Sequence, residues 1–324
     1  MGQKISKKEK SPNEIAKQFH WDFNWLNLNQ SEKEIDNFLA NQSKFFPSNP
    51  QKILEIFQDG ISLTNKAWQT LFPQSPPLYY HNQDHAVITG IITFKLFLGA
   101  IVYHQLKISR AENLIQLIYL VSLFHEINDW WNLPSLRQEK GYSQRFNEVK
   151  NLILHYFKEN QLSSFDFNRL LLLNNFNKSP LEGIFEAKNL NPKDKENFLP
   201  LNNVPSLIDS LSSSYQNLLW QIFSNCLNAA DFFQVLNPAH KKEVNILVGN
   251  KIYPNKRQGA VVLAVECQKI RPKALKKLGW ANKEGKIDWN KVKTTKEFLI
   301  FAKERIKPAL PYLEFFKRFS SSEK

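Results

Sequence analysis

The run ITGIITFKLFLGAIVY, Ile88 to Tyr103, constrains this chain more than any other feature: sixteen residues broken by one charge, Lys95. A bilayer crossing takes about 20 apolar residues, and this stretch falls short. It reads as a helix that other protein elements must enclose on all sides. A chain of 324 residues that is 42% hydrophobic can supply them. With 25 Phe and 8 Trp against only 10 Gly, helices are favoured over a sandwich of short strands. The expected fold class is all-α, a mostly helical protein with no transmembrane segment.

Helical periodicity supplies the neighbours. In SEKEIDNFLANQ, Ser31 and Glu34 form a capping box that opens a helix over 31–42. Further helices read over 52–71, 81–106, 111–127, 143–160 and 165–174, with the rigid spacer PQSPP (73–77) ahead of the pair His81 and His85. Residues 175–206 carry Pro180, Pro192, Pro200 and Pro205 with little periodicity and read as a loop-rich insertion. Helix returns over 207–236. The segments 245–253 and 260–270 are strands or short helices, and periodicity does not arbitrate between them. A last helical stretch, 294–319, is interrupted near Pro308 and Pro311. The expected organisation is a flexible basic lead over 1–20, a helical domain over 21–240 and a basic, mostly helical extension over 241–324.

Charge is unevenly spread. Residues 241–324 hold 21 Lys and Arg against 8 Asp and Glu, whereas residues 1–240 hold 22 of each sign. The whole net charge of +13 is therefore C-terminal. Such a region attracts nucleic acid, an anionic membrane or phosphorylated ligands. Two cysteines, Cys226 and Cys267, are too few for a disulfide framework and suit a reducing compartment. The start lacks an apolar signal-peptide core, so a cytoplasmic protein is expected. The opening MGQKISKK also fits the pattern for myristoylation of Gly2, with Ser6 and the basic Lys7, Lys8 and Lys10 behind it. Peripheral membrane association through that lipid and those lysines is the second expected location.

Three helices place an ionisable residue where their pattern calls for a hydrophobe. His81 and His85 lie one helical turn apart and head a stripe that continues through Ile88, Ile92 and Leu96. The stripe Leu114, Leu117, Ile118, Val121 reaches His125, with Glu126 directly after it. The stripe Leu219, Phe223, Leu227 reaches Asp231. Buried charges are paired or bind metal. Imidazoles and carboxylates drawn from several helices form a common ligand set for divalent ions.

These residues, in this order, resemble the HD-domain superfamily of metal-dependent phosphohydrolases. YYHNQDHA is similar to the Y-H-N-x-x-H-A signature of cyclic-nucleotide phosphodiesterases and of small bacterial HD phosphohydrolases. LVSLFHEIND resembles the A-x-x-F-H-D helix end, FNEVKN the N-E motif of the bacterial group, and NAADFFQVLNP the A-D-L helix. The resemblance spans roughly residues 76–240 and leaves 1–70 and 241–324 uncovered. It implies an HD-domain helical bundle with N-terminal helices, in which His85, His125, Glu126 and Asp231 hold a divalent ion (Mn, Mg, Zn or Fe). His81 would be the general acid on the leaving oxygen. Glu148 would be an outer ligand or water-positioning base. The implied activity is hydrolysis of a phosphate ester, either a phosphorylated small molecule or a nucleotide, by metal-activated water.

The chain departs from the family at the defining pair, where His125 is followed by Glu126 rather than aspartate. One more methylene moves the carboxylate by about 1.5 Å. Asn128 then stands where a better ligand is usual, with Asp129 beside it. One metal rather than two is expected. His155, further along, reads as a core or surface residue. No counterpart of the phosphodiesterase base clamp is found. A second reading follows: a degenerate, catalytically inactive HD-fold protein that binds an anionic ligand, nucleic acid or a protein partner.

Overall fold

A computed structural model of the protein describes residues 27–46, 50–73, 83–107, 111–126, 140–173, 199–236, 244–248, 251–256, 258–270, 272–293 and 295–321. The basic lead with its Gly2 motif, His81, and most of the stretches 127–142 and 175–206 lie outside these residues. Helix dominates the rest. In chain order come α1 (Leu28–Asn41), α2 (Pro50–Leu71), α3 (Gln83–Tyr103), α4 (Ala111–Leu123), α5 (Tyr142–Glu159), α6 (Ser164–Leu173) and α7 (Ser213–Leu236). A hairpin of β1 (Val244–Val248) and β2 (Lys251–Lys256) follows, then α8 (Gln258–Ile270), α9 (Pro272–Lys277), α10 (Lys296–Ile306) and α11 (Leu310–Ser320). The ambiguous segments thus divide: 245–253 falls on the strands, 260–270 on a helix. The antiparallel register slips once, between Val244 and Ile246.

The chain forms two compact units. One comprises Leu26–Asp231 with Pro308–Lys324, the other Phe232–Lys307 among the described residues. The division differs from the expected one, because α11 belongs with the helices of the N-terminal half and not with the basic extension. Its sequence explains why. Tyr312, Leu313 and Phe316 make one apolar face, and all three are buried. Phe316 stacks on Phe38 of α1 at 4.9 Å between centroids. Asn37 and Asn41 of α1 donate to the Ser320 and Phe319 carbonyls at 3.3 and 2.9 Å, satisfying helix-end acceptors. Gly99 of α3 lets the Tyr312 backbone approach where a side chain would collide with its carbonyl.

The apolar run lies within α3, whose 21 residues make it long and apolar enough to cross a membrane by length and composition. Every residue from Thr89 to Val102 is instead buried among protein, against α2, α4 and α11. Lys95 is buried with the rest, its Nζ donating to Glu34 Oε2 of α1 at 2.8 Å. That pairing displaces the expected capping box. Helix α1 begins three residues earlier, with Asn27 Oδ1 accepting from the Gln30 amide at 3.2 Å, while Ser31 is buried inside the helix. Glu34 is drawn toward the core because Lys95 needs a counter-charge there.

Phe57, Phe94 and Tyr119 meet at the centre of this unit, with Tyr119 stacked on Phe57 at 5.6 Å and edge-on to Phe94 at 4.7 Å. Two helical glycines allow the approach. A side chain on Gly60 would strike the Tyr119 ring, and one on Gly90 would stand 2.8 Å from Leu123 Cγ. The contact at Gly90 matters for the site, since it locks the first turns of α3 against the end of α4.

Helix α6 pins the chain ahead of α7 through buried polar groups. Asp166 accepts from the Ser206 hydroxyl at 2.5 Å and the Leu207 amide at 2.7 Å. Asn168 pairs with both backbone groups of Leu199, at 2.8 and 3.1 Å. Arg169 reaches Asp209 at 2.7 Å and lies over the Trp220 ring of α7 at 5.4 Å. The end of the stretch expected as a loop-rich insertion is therefore fixed in place and sets the start of α7, the helix that carries Asp231.

In the second unit the core mixes aliphatic residues, such as Val261 and Leu263 of α8 and Ile306 of α10, with aromatic ones. Trp280 is fully buried against Phe298 of α10 at 5.8 Å. Leu275, Leu278 and Val292 are buried with it.

Candidate metal centre

His85 lies in the first turn of α3, and His125 and Glu126 lie in the turn just past α4. Asp231 lies near the end of α7, one helical turn after the buried Leu227. The Gly90–Leu123 contact brings the first two segments together. The stripe Leu219, Phe223, Leu227, each at 2% exposure or less, brings in the third.

The polar atoms converge. His85 Nε2 stands 3.1 Å from Glu126 Oε1 and 3.4 Å from Asp231 Oδ1. His125 Nε2 stands 2.9 Å from the same Glu126 oxygen. The two imidazole centroids are 5.3 Å apart. Donor atoms of His85, His125 and Asp231 all lie within 4.8 Å of one another. His85, His125 and Glu126 are buried, and Asp231 is nearly so, its side chain 13% exposed.

A backbone acceptor decides the chemistry of His125. The Ser122 carbonyl, near the open C-terminal end of α4, accepts from His125 Nδ1 at 2.7 Å. The Nδ1 proton is thereby committed. A neutral His125 then leaves Nε2 2.9 Å from the Glu126 oxygen, without the alignment of a hydrogen bond, beside a carboxylate that favours positive charge. A cation belongs in that contact, either a second ring proton or a metal ion. Burial pushes the His125 pKa down, yet the Glu126 carboxylate, with Asp231 and the Ser122 bond behind it, outweighs burial and raises it above the ordinary histidine value.

The donor set fits a divalent ion. Ligands about 2.1 Å from a shared ion stand about 3.0 Å apart across a right angle and about 3.4 Å across a tetrahedral one. The contacts at 2.9, 3.1 and 3.4 Å have those lengths. Two carboxylates and two neutral imidazoles carry a charge of two minus, which a dication balances. Mixed imidazole and carboxylate donors suit Zn, Fe or Mn more than an all-oxygen ion such as Mg.

Three of the expected ligands, His85, His125 and Asp231, are thus brought together, and Glu126 lies against both imidazoles. Glu148 is exposed on α5 and accepts from Gln144 on its own helix at 3.0 Å. His155 is exposed and pairs with Glu159 at 3.2 Å. Sequence reasoning missed the Ser122 carbonyl, because every residue carries that group and its role depends only on where α4 stops. Helix α4 ends at Leu123 and not at 127, and the turn that follows lets the longer Glu126 side chain fold back to both imidazoles. Compared with models of protein families, with curated proteins and with solved structures, the chain matches none.

Proposed function

We propose that the protein is a metal-dependent phosphohydrolase of HD type, acting on the phosphate ester of a small molecule or nucleotide. The observation that carries this reading is the grouping of His85, His125 and Asp231, with Glu126 against both imidazoles, at the ends of buried apolar stripes. A divalent cation held there supplies a water nucleophile near neutral pH and withdraws charge from phosphoryl oxygens. The chain's own residues divide the remaining work. His125, oriented by the Ser122 carbonyl, presents Nε2 to the centre. Asp231 and Glu126 supply the charge that attracts the cation, and the buried stripes beneath them keep bulk water from competing. His81, four residues before His85, is the proposed acid for the leaving oxygen.

A second reading rests on Glu126. Its Oε1 lies close to both imidazoles, so the longer carboxylate occupies room that an aspartate would leave to water or substrate. In that reading the centre binds an ion and an anionic ligand without turnover.

Metal analysis of the purified protein and turnover of bis(p-nitrophenyl) phosphate with added Mn²⁺ or Mg²⁺ test the proposal. Bound metal with turnover that is abolished in His125→Ala and Asp231→Asn supports the phosphohydrolase. Bound metal without turnover on phosphodiesters, phosphomonoesters or nucleotides supports the second reading. Failure of wild-type protein to retain or bind a divalent ion refutes both.

A further inference from the structure

We propose that the lysine-bearing turn of the second unit, Trp280–Asp288 with α9 beside it, docks the phosphate backbone of a nucleic acid. This goes beyond the phosphohydrolase reading and does not depend on it. Between residues 272 and 307 the chain carries ten Lys and one Arg against four acidic residues. The surplus is displayed on a rigid frame. An antiparallel bridge joins Ala281 and Ile287, and the Asp288 amide donates to the Trp280 carbonyl at 2.7 Å. Asn282 closes the tip: its amide donates to the Lys286 carbonyl at 2.8 Å, and its Oδ1 accepts from the Lys286 amide at 2.8 Å. Gly285 takes a positive φ of 78° there, and the Cε of Lys276 lies 3.9 Å from where its Cβ would stand. Lys276 of α9 therefore lies against the tip that bears Lys283 and Lys286.

Lys273, Lys276, Lys277, Lys283, Lys286 and Lys293 are all exposed, and among the described residues none of them forms an ion pair. Lys291 differs, being held by Asp288 at 3.2 Å. Most large apolar residues of the same segment face inward: Leu275, Leu278, Trp280 and Val292 are buried, and Ile287 and Trp289 are half-buried. A membrane-binding surface sets Trp and Leu outward beside its lysines, and a strand-stacking surface sets aromatic rings outward. Here the exposed side chains are lysines with Glu284 among them, and Trp289 just after the turn is half-buried. Spaced ammonium groups on a fixed frame match a repeating phosphate backbone and carry no base readout.

Full-length protein and a fluorescein-labelled duplex of about 25 base pairs, titrated by anisotropy over a range of salt, test this. The expected result is a linear fall of log Kobs with log salt, in which each phosphate contact contributes a slope of about 0.9. The triple variant Lys276→Gln, Lys283→Gln, Lys286→Gln should bind at least about tenfold more weakly at low salt and lose about 2 to 3 from that slope. Its thermal midpoint should not move, since the three side chains are exposed. A control triple on the first unit, Lys33→Gln, Lys66→Gln, Lys107→Gln, should keep the wild-type slope. Asp231→Asn should bind DNA as wild type does, which separates this proposal from that for the metal centre. An unchanged slope in the Lys276 triple, an equal loss in the control, or tighter binding to phosphatidylserine vesicles than to the duplex would overturn the proposal.

Discussion

Replacing Lys95 by methionine should stabilise the protein near neutral pH. Lys95 is fully buried in α3, with Glu34 as counter-charge at 2.8 Å and a second cation, Lys317, adding repulsion. Burial lowers its pKa from the ordinary 10.5 to about 8, against the upward pull of Glu34. A displacement of that size corresponds to about 3 kcal/mol of preference for the neutral amine in the folded state. The unfolded chain therefore binds more protons between about pH 8 and pH 10.5, so stability rises with pH through that window and is flat below it. Methionine has similar length and no charge. Glu34 keeps its bond from Gln30 at 3.0 Å and some contact with water, its side chain being 19% exposed. Lys95→Met should thus gain about 1 to 3 kcal/mol at pH 7 and lose most of that advantage by pH 10. Urea unfolding of both proteins at several pH values, read as a difference, cancels the tyrosines and lysines common to the two. A variant less stable than wild type at pH 7, or a difference that does not shrink with rising pH, would show that the Lys95–Glu34 pair is net stabilising.

Other consequences follow from the same contacts. Gly90→Ala should cost about 1 to 3 kcal/mol in chemical unfolding and weaken divalent-metal binding, because the new Cβ meets Leu123 at 2.8 Å or less and wedges α3 from the end of α4. Asp166→Ala should cost about 3 kcal/mol or more, since it strips the acceptor from Ser206 and from the Leu207 and Ile208 amides and removes the second carboxylate, 3.8 Å away, from buried Arg169, which keeps Asp209. In the presence of a chelator, the thermal midpoint should fall as pH rises above the ordinary histidine range. The raised pKa of His125 contributes stability that is complete below the unfolded value of 6.5 and is lost as pH climbs through the folded one. Added Mn²⁺ should reverse that trend, because an ion needs the imidazole neutral; identical pH profiles with and without metal would contradict the argument that a cation belongs between His125 and Glu126.

Much of the fold is legible in the chain because its helices are strongly periodic. The bounds of α2, α5 and α6 fall within two residues of the stretches expected from their apolar spacing, and the break at Pro308 separates α10 from α11. What periodicity could not carry was long-range pairing. Ser31 and Glu34 have the local form of a capping box, but Lys95, distant in sequence, competes for the carboxylate in a medium where its charge cannot stand alone. The destination of α11 was hidden for a similar reason. Its sequence displays an apolar face and a basic one, and composition groups it with the lysine-rich segment before it, whereas Phe38 and Gly99 decide where the apolar face goes.

The candidate site was legible in part for a thermodynamic reason. A polar residue at the end of an apolar stripe is costly unless something compensates it, so stripes ending in His85, His125 and Asp231 mark positions that need partners. Whether those partners are one another is a question of distance, and no pattern within one helix contains it. Glu126 shows the limit from the other side. Measured against a family motif, its extra methylene looks like a defect that moves the carboxylate away from its role. The helix, however, stops at Leu123, and the turn gives back the freedom that the longer side chain requires. Its oxygen ends 2.9 and 3.1 Å from two imidazole nitrogens, inside the range that ligands of a common ion keep from each other. The closeness of this carboxylate to both imidazoles thus depends on where the preceding helix ends, at a point where Leu123 packs on Gly90 and His125 bonds the Ser122 carbonyl.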